Sequence, residues 1–215
     1  LRPRTEPGFP PGAFTGWRAT IAPGRLLLGV YLPLTRDGEE HVPGGPFVVA
    51  ANHYSHLDPV IVSLAIGRRP VRYLAVDELY GNSRFFDALT LWLGAIPMSR
   101  TRTPLRALRL ALEELAAGGV VGLFPEGVRV WTWGEVPPKR GAAWLAARAG
   151  VPLLPVAIHG SGEAMGRGTA RISRRPVHAS VLEPILPADF PDTKERPAEM
   201  TRVWWQRIDA ALAER

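Results

Sequence analysis

Short apolar runs alternate with segments of helical spacing along this chain, and that rhythm narrows the folds open to it more than any other feature. Phe47 to Ala51, Val120 to Phe124, Val151 to Ile158 and Val177 to Leu182 read as strands. Helical segments follow or separate them: one from Pro59 to Gly67, one over Gly141 to Ala149 closed by Gly150, and a last one from about 197 to 214 with Met200, Trp204, Ile208 and Ala211 on one face. Another helix opens at Thr103-Pro104; its Leu105, Leu108, Leu112 and Leu115 are assigned to the core, with Arg102, Arg106 and Arg109 on another side. Strand and helix in alternation are the pattern of an α/β domain. A length of 215 residues with 46% hydrophobic content suits a single core. The expected organisation is an extended lead over residues 1–12, rich in proline and glycine, and one domain over 13–215.

Polar chemistry clusters where strands end. After Phe47 to Ala51 comes Asn52-His53-Tyr54-Ser55-His56-Leu57-Asp58-Pro59. Residues five apart lie roughly 140° apart on a continuous helix, so His53 and Asp58 can meet only across a turn. Proline at a first helical position and aspartate as an N-cap supply that turn's exit, and capping is the ordinary use of such an aspartate. The chemical alternative is a base and its orienter: an imidazole takes a proton near neutral pH, and a carboxylate on its other nitrogen fixes the tautomer. After Val120 to Phe124 comes Pro125-Glu126-Gly127-Val128-Arg129, which presents a carboxylate and a guanidinium in a short loop; the two could also simply pair. In open α/β sheets ligands gather at the carboxyl ends of strands. Leu93 to Arg100 is an apolar stretch delivering Arg100, and guanidinium groups fork onto phosphate, so Arg100 and Arg129 together suit a phosphomonoester.

Taken in order, Asn52-His53-x4-Asp58, Gly94 to Arg100, Phe124-Pro125-Glu126-Gly127-x-Arg129 and Val151-Pro152-x2-Pro155-Val156 resemble the four blocks of the glycerolipid (lysophospholipid) acyltransferase family, over about residues 28 to 186. The resemblance implies a mixed, mostly parallel sheet flanked by helices, with His53 as general base on an acceptor hydroxyl and Asp58 as its partner. It implies that Arg100, Glu126, Gly127 and Arg129 hold a glycerol phosphate, that Lys139, in a Lys-x-Gly element, is a further phosphate ligand, and that Pro155 lies near the acyl or acceptor pocket. The reaction implied moves a fatty acyl group from acyl-CoA or acyl carrier protein to a hydroxyl of 1-acylglycerol 3-phosphate, in phospholipid biosynthesis, without metal or other cofactor. The third block departs from the family's Gly-Thr-Arg-Ser at Val128 and Val130, which removes two hydroxyls and leaves glycerol 3-phosphate or another lipid or glycolipid open as acceptor. The next segment, Trp131-Thr132-Trp133, is unusually aromatic: packing and a lipid interface are both uses of tryptophan.

Charge bounds the partners. The formal net charge is +6, with 26 basic residues of which only Lys139 and Lys194 are lysine. Such a surface attracts CoA phosphates, an acidic carrier protein or anionic headgroups. Nucleic acid is suggested by the charge alone, no recognition motif supports it, and none is expected as a partner. Arg167, Arg171, Arg174 and Arg175 form the densest patch, read as lipid-facing or carrier-facing. No stretch of 18 apolar residues occurs, so a peripheral place on the cytoplasmic face of the cell membrane is expected, aided by an interfacial segment over residues 13–27. The chain begins at Leu1 and not at a methionine, which leaves room for a preceding segment. Absence of cysteine removes any thiolate nucleophile. A hydrolase using Ser55 or another serine with His53 as its base is the more remote reading, and no Gly-x-Ser-x-Gly turn supports it.

Overall fold

A computed structural model describes residues 31–67, 69–76, 95–98, 105–169 and 171–214. In chain order the elements are β1 (Leu34–Asp37), β2 (Phe47–Ala51), α1 (Asp58–Ala65), β3 (Val71–Val76), β4 (Ile96–Met98), α2 (Leu105–Ala116), β5 (Val120–Leu123), α3 (Gly141–Ala149), β6 (Leu153–His159), α4 (Ser161–Ala164), β7 (Val177–Val181) and α5 (Arg196–Ala213). The strands form one seven-stranded sheet in the order β1-β7-β6-β2-β5-β3-β4. All neighbours are parallel except β6 and β7, which run antiparallel. The fold is α/β, with a mixed, mostly parallel sheet flanked by helices.

β2 occupies the centre of that sheet, with β5 on one side and β6 on the other, and all five of its residues are buried. A parallel strand covered on both faces reads as an unbroken apolar run for this reason. Its side chains alternate between two cores: Phe47, Val49 and Ala51 pack with Ile61, Val62 and Ala65 of α1, while Val48 and Ala50 pack with α2, α3 and α5. The indole of Trp204 in α5, 1% exposed, donates to the carbonyl of Ala50 at 3.0 Å. Thus the C-terminal helix is fastened to the strand that leads into the His53 loop.

One expectation changes. Leu105 is 70% exposed and not in the core; the inward face of α2 is Ala107, Leu110, Ala111 and Leu115, with Leu108 and Leu112 on its flank. The helix is turned by Glu114, which is buried and pairs at 3.1 Å with the equally buried Arg72 of β3. Both charges are removed from water and need each other there. Pro155 sits buried within β6, opposite Ala50 of β2, and residues further along the same strand line the cleft described below. The lead over residues 1–12, the segment 13–27, Thr103-Pro104 and Arg100 lie outside the described residues.

Candidate active site

Three strand ends converge beside β2. Asn52, wholly buried, ties two of them: its side-chain amide donates to the carbonyl of Ile158 at 2.9 Å and its oxygen accepts the Ile158 N–H at 2.8 Å. His53 follows, and its Nδ1 lies 2.8 Å from Oδ2 of Asp58. The structure therefore brings the pair together across the turn. Asp58 is not the N-cap: it is the first residue of α1, with Leu57 in the cap position. Its Oδ2 points back into the loop and accepts the N–H groups of Tyr54 at 2.7 Å and Ser55 at 2.6 Å as well as the imidazole proton. An ionised carboxylate only accepts, so the proton between them belongs to Nδ1 and the lone pair stands on Nε2. With Asp58 wholly buried and the His53 side chain 17% exposed, the imidazole is the member of the pair that reaches outward.

The loop after β5 grips His53 from several directions. The Phe124 ring stacks on the imidazole at 4.0 Å and 18°. Oε1 of Glu126 accepts the His53 main-chain N–H at 3.3 Å, and Val130 donates its N–H to the His53 carbonyl at 2.8 Å. Among the described residues no ion pair joins Glu126 to Arg129. Burial pushes Glu126 up to about 7, and the negative charge of Asp58 adds to the shift, against its hydrogen bonds from backbone N–H groups. Gly127 has a φ of 68°, a turn that side-chain-bearing residues avoid, and a Cβ there would sit 2.8 Å from Nζ of Lys139. The lysine ammonium thus overlies the bend. Arg129 is half-buried: burial lowers it, the Arg167 charge lowers it further, and Asp58 opposes both. Its charge in turn helps burial to lower His56, three residues beyond His53. Glu126, Gly127, Arg129 and Lys139 accordingly cluster beside the His53 loop.

A cleft of about 600 Å³ opens next to this group, lined among others by Tyr54, Trp131, Trp133, His159 and Arg167. The two tryptophans differ in their surroundings. Trp133 is packed on Trp205 at 4.1 Å and bonds Asp209 at 2.8 Å, whereas Trp131 is 66% exposed beneath the Arg167 guanidinium at 5.4 Å. Close by, Ser173 bonds the Ala164 carbonyl at 2.8 Å, and a Cβ at Gly160 would overlap the Pro176 carbonyl. Arg167, Arg171, Arg174 and Arg175 are exposed.

Comparison with known proteins gives the family. The Acyltransferase family model matches residues 34–159. The chain belongs to the Acyltransferase family. It is 30% identical over 173 residues to 1-acyl-sn-glycerol-3-phosphate acyltransferase of Bacillus subtilis, a match covering 79% of this chain and 83% of that protein. It is 29% identical over 181 residues to the human protein named 1-acyl-sn-glycerol-3-phosphate acyltransferase alpha, covering 80% of this chain and 62% of the human one. Among solved structures, that of the 1-acyl-sn-glycerophosphate (LPA) acyltransferase PlsC from Thermotoga maritima shares the fold with a TM-score of 0.70 at 24% identity, over 94% of this chain and 78% of that one.

In this acyltransferase the departures in the third block have different weights. Val130 is 2% exposed, bonds the His53 carbonyl through its main chain and borders the cleft, whereas Val128 is only half-buried. Ser55 is corrected: it is wholly buried, its hydroxyl donates to the Met165 carbonyl at 2.6 Å and accepts the Leu57 N–H at 3.1 Å. It buttresses the loop and is not aligned as a nucleophile. Sequence reasoning passed over Phe124 as a ring support and Tyr54 as a cleft wall. Tyr54 is pushed up to about 12, chiefly by burial, and stays a neutral phenol. The available signal was position alone, next to each block's charged residues.

Proposed function

We propose that the protein transfers a fatty acyl group from an acyl thioester to the free hydroxyl of 1-acylglycerol 3-phosphate, with His53 as general base. Nε2 of His53 takes the hydroxyl proton as the oxygen attacks the thioester carbonyl carbon. The tetrahedral adduct collapses, a C–O bond replaces the C–S bond, and the departing thiolate recovers the proton from the imidazolium. Asp58 stabilises that imidazolium through Nδ1 and keeps the ring from turning. Nothing becomes attached to the protein, and the step balances without metal or other cofactor. The observation that carries this reading is the 2.8 Å His53–Asp58 contact, with Asp58 fully buried and tied to two further N–H groups.

Arg129 and Lys139 are proposed to hold the acceptor's phosphate, together with Arg100, since the charge of a guanidinium or ammonium suits a dianion. Acyl-CoA and acyl carrier protein both offer the thioester, and the basic surface suits the anionic character of either. No described helix is long and apolar enough to cross a membrane. We place the protein peripherally on the cytoplasmic face of the cell membrane, with exposed Trp131 and the arginines close to the cleft directed at anionic headgroups. Charge reversal at Arg174 and Arg175 together should then weaken sedimentation with anionic liposomes; unchanged sedimentation would remove that surface from the proposal.

The deciding experiment incubates the purified protein with one labelled long-chain acyl-CoA, or the matching acyl carrier protein, and a panel of acceptors read by mass spectrometry. Phosphatidic acid as the main product from 1-acylglycerol 3-phosphate supports the reading. Preference for glycerol 3-phosphate or a lysoglycolipid would keep the chemistry and change the acceptor, the outcome for which half-buried Val128 leaves room.

A further inference from the structure

We infer that Glu126 is a positioning residue that acts through His53, not a ligand of the acceptor's phosphate. The inference rests on the reading of His53 as the base. Its ground is the way one loop holds that histidine's ring face and main chain: Phe124 supports the ring, Val130 bonds the carbonyl, and the Glu126 carboxyl group accepts the main-chain N–H. These contacts fix where the ring begins and which way it faces. A phosphate ligand would need a reachable donor. Glu126 is 3% exposed, and its second oxygen, Oε2, is buried without a hydrogen-bond partner. Its burial keeps the carboxyl out of a phosphate's reach, and once ionised it would repel one. The positive φ of Gly127 lets the chain reverse immediately after Glu126, so the carboxylate turns inward while Lys139 remains over the bend. One short segment therefore divides its labour: Glu126 serves the base, and the cations after it serve the substrate.

The substitutions that separate these roles are Glu126→Met, of similar length without a comparable acceptor, and Glu126→Gln, whose amide oxygen can take the same N–H. A 1 Å error in placing a catalytic group can lower turnover on the order of 100-fold. Glu126→Met should therefore lower kcat on the order of 10- to 100-fold while the acceptor KM stays within about twofold, and Glu126→Gln should recover at least about tenfold of that loss. In ¹⁵N-histidine NMR spectra the His53 Nδ1–H signal should shift in Glu126→Met and return in Glu126→Gln, a readout that needs no turnover. A rise in acceptor KM with kcat retained would make Glu126 a ligand and overturn the inference. So would an unmoved His53 signal in Glu126→Met, or a Gln variant no better than Met. If the wild-type protein acylates no acceptor in the panel, the functional reading fails on its own, and the NMR comparison still decides whether Glu126 positions the histidine.

Discussion

Two histidine–aspartate contacts of nearly equal length stand among the described residues, and they are chemically unalike. His53 meets Asp58 at 2.8 Å; His178 of β7 meets Asp37 of β1 at 2.9 Å. In the second pair both ring nitrogens are occupied, Nδ1 by Thr35 at 2.7 Å and Nε2 by Asp37 and by Ser180 at 3.0 Å, and the Asp37 side chain is 52% exposed. In the first, Asp58 is fully buried and bonded to two further N–H groups, and no described residue bonds Nε2 of His53. A base requires a nitrogen left open to the substrate and a carboxylate that cannot be lured away by water. His178 has neither, and reads as a stitch between β1 and β7.

Substitutions that treat the two pairs alike test this contrast. The largest loss should come from His53→Ala and Asp58→Asn, each lowering kcat by about 10²–10⁴ with the fold retained by circular dichroism; near-normal turnover in either would dissolve the distinction. Arg129→Ala should come next, raising the acceptor KM about tenfold or more with a smaller change in kcat, as loss of a charge-assisted contact does. Glu126→Gln carries a pH signature: the carboxyl titrates near 7 in the fold against an ordinary 4.5, so the folded form binds the extra proton in that window and wild-type stability falls as pH rises through it. The unfolding free energy of the Gln variant relative to wild type, from denaturant melts, should therefore climb between about pH 5 and 8, by an amount on the order of 1–3 kcal/mol. The smallest effect on turnover belongs to His178→Ala, which should keep activity within about threefold; a loss matching that of His53→Ala would mean that the β1–β7 edge participates in chemistry.

How much of this was readable beforehand depends on whether a residue's partner lies nearby in the chain. The strand at 47–51, a helix opening within a residue of Pro59 and the meeting of His53 with Asp58 follow from a short stretch, and the sequence pattern contains them. That Asp58 turns back to bind three donors and leaves the cap to Leu57 is a matter of side-chain direction, which spacing does not encode. The face of α2 was misjudged at Leu105 because Glu114 is drawn inward by Arg72, a partner on a different strand. Trp131 and Trp133 carry the same side chain two positions apart; only the arrival of Trp205 and Asp209 from α5 separates the packed one from the exposed one. The Phe124 platform likewise depends on which strands are neighbours.

The strand order has a consequence for synthesis. β2 is made early, yet one of its neighbours, β6, and the indole that latches its carbonyl, Trp204, emerge from the ribosome much later. Until they do, β2 lacks its β6 neighbour beside the loop that carries His53. The central strand is therefore completed on both sides, and its Ala50 carbonyl bonded, only after the last helix has been made.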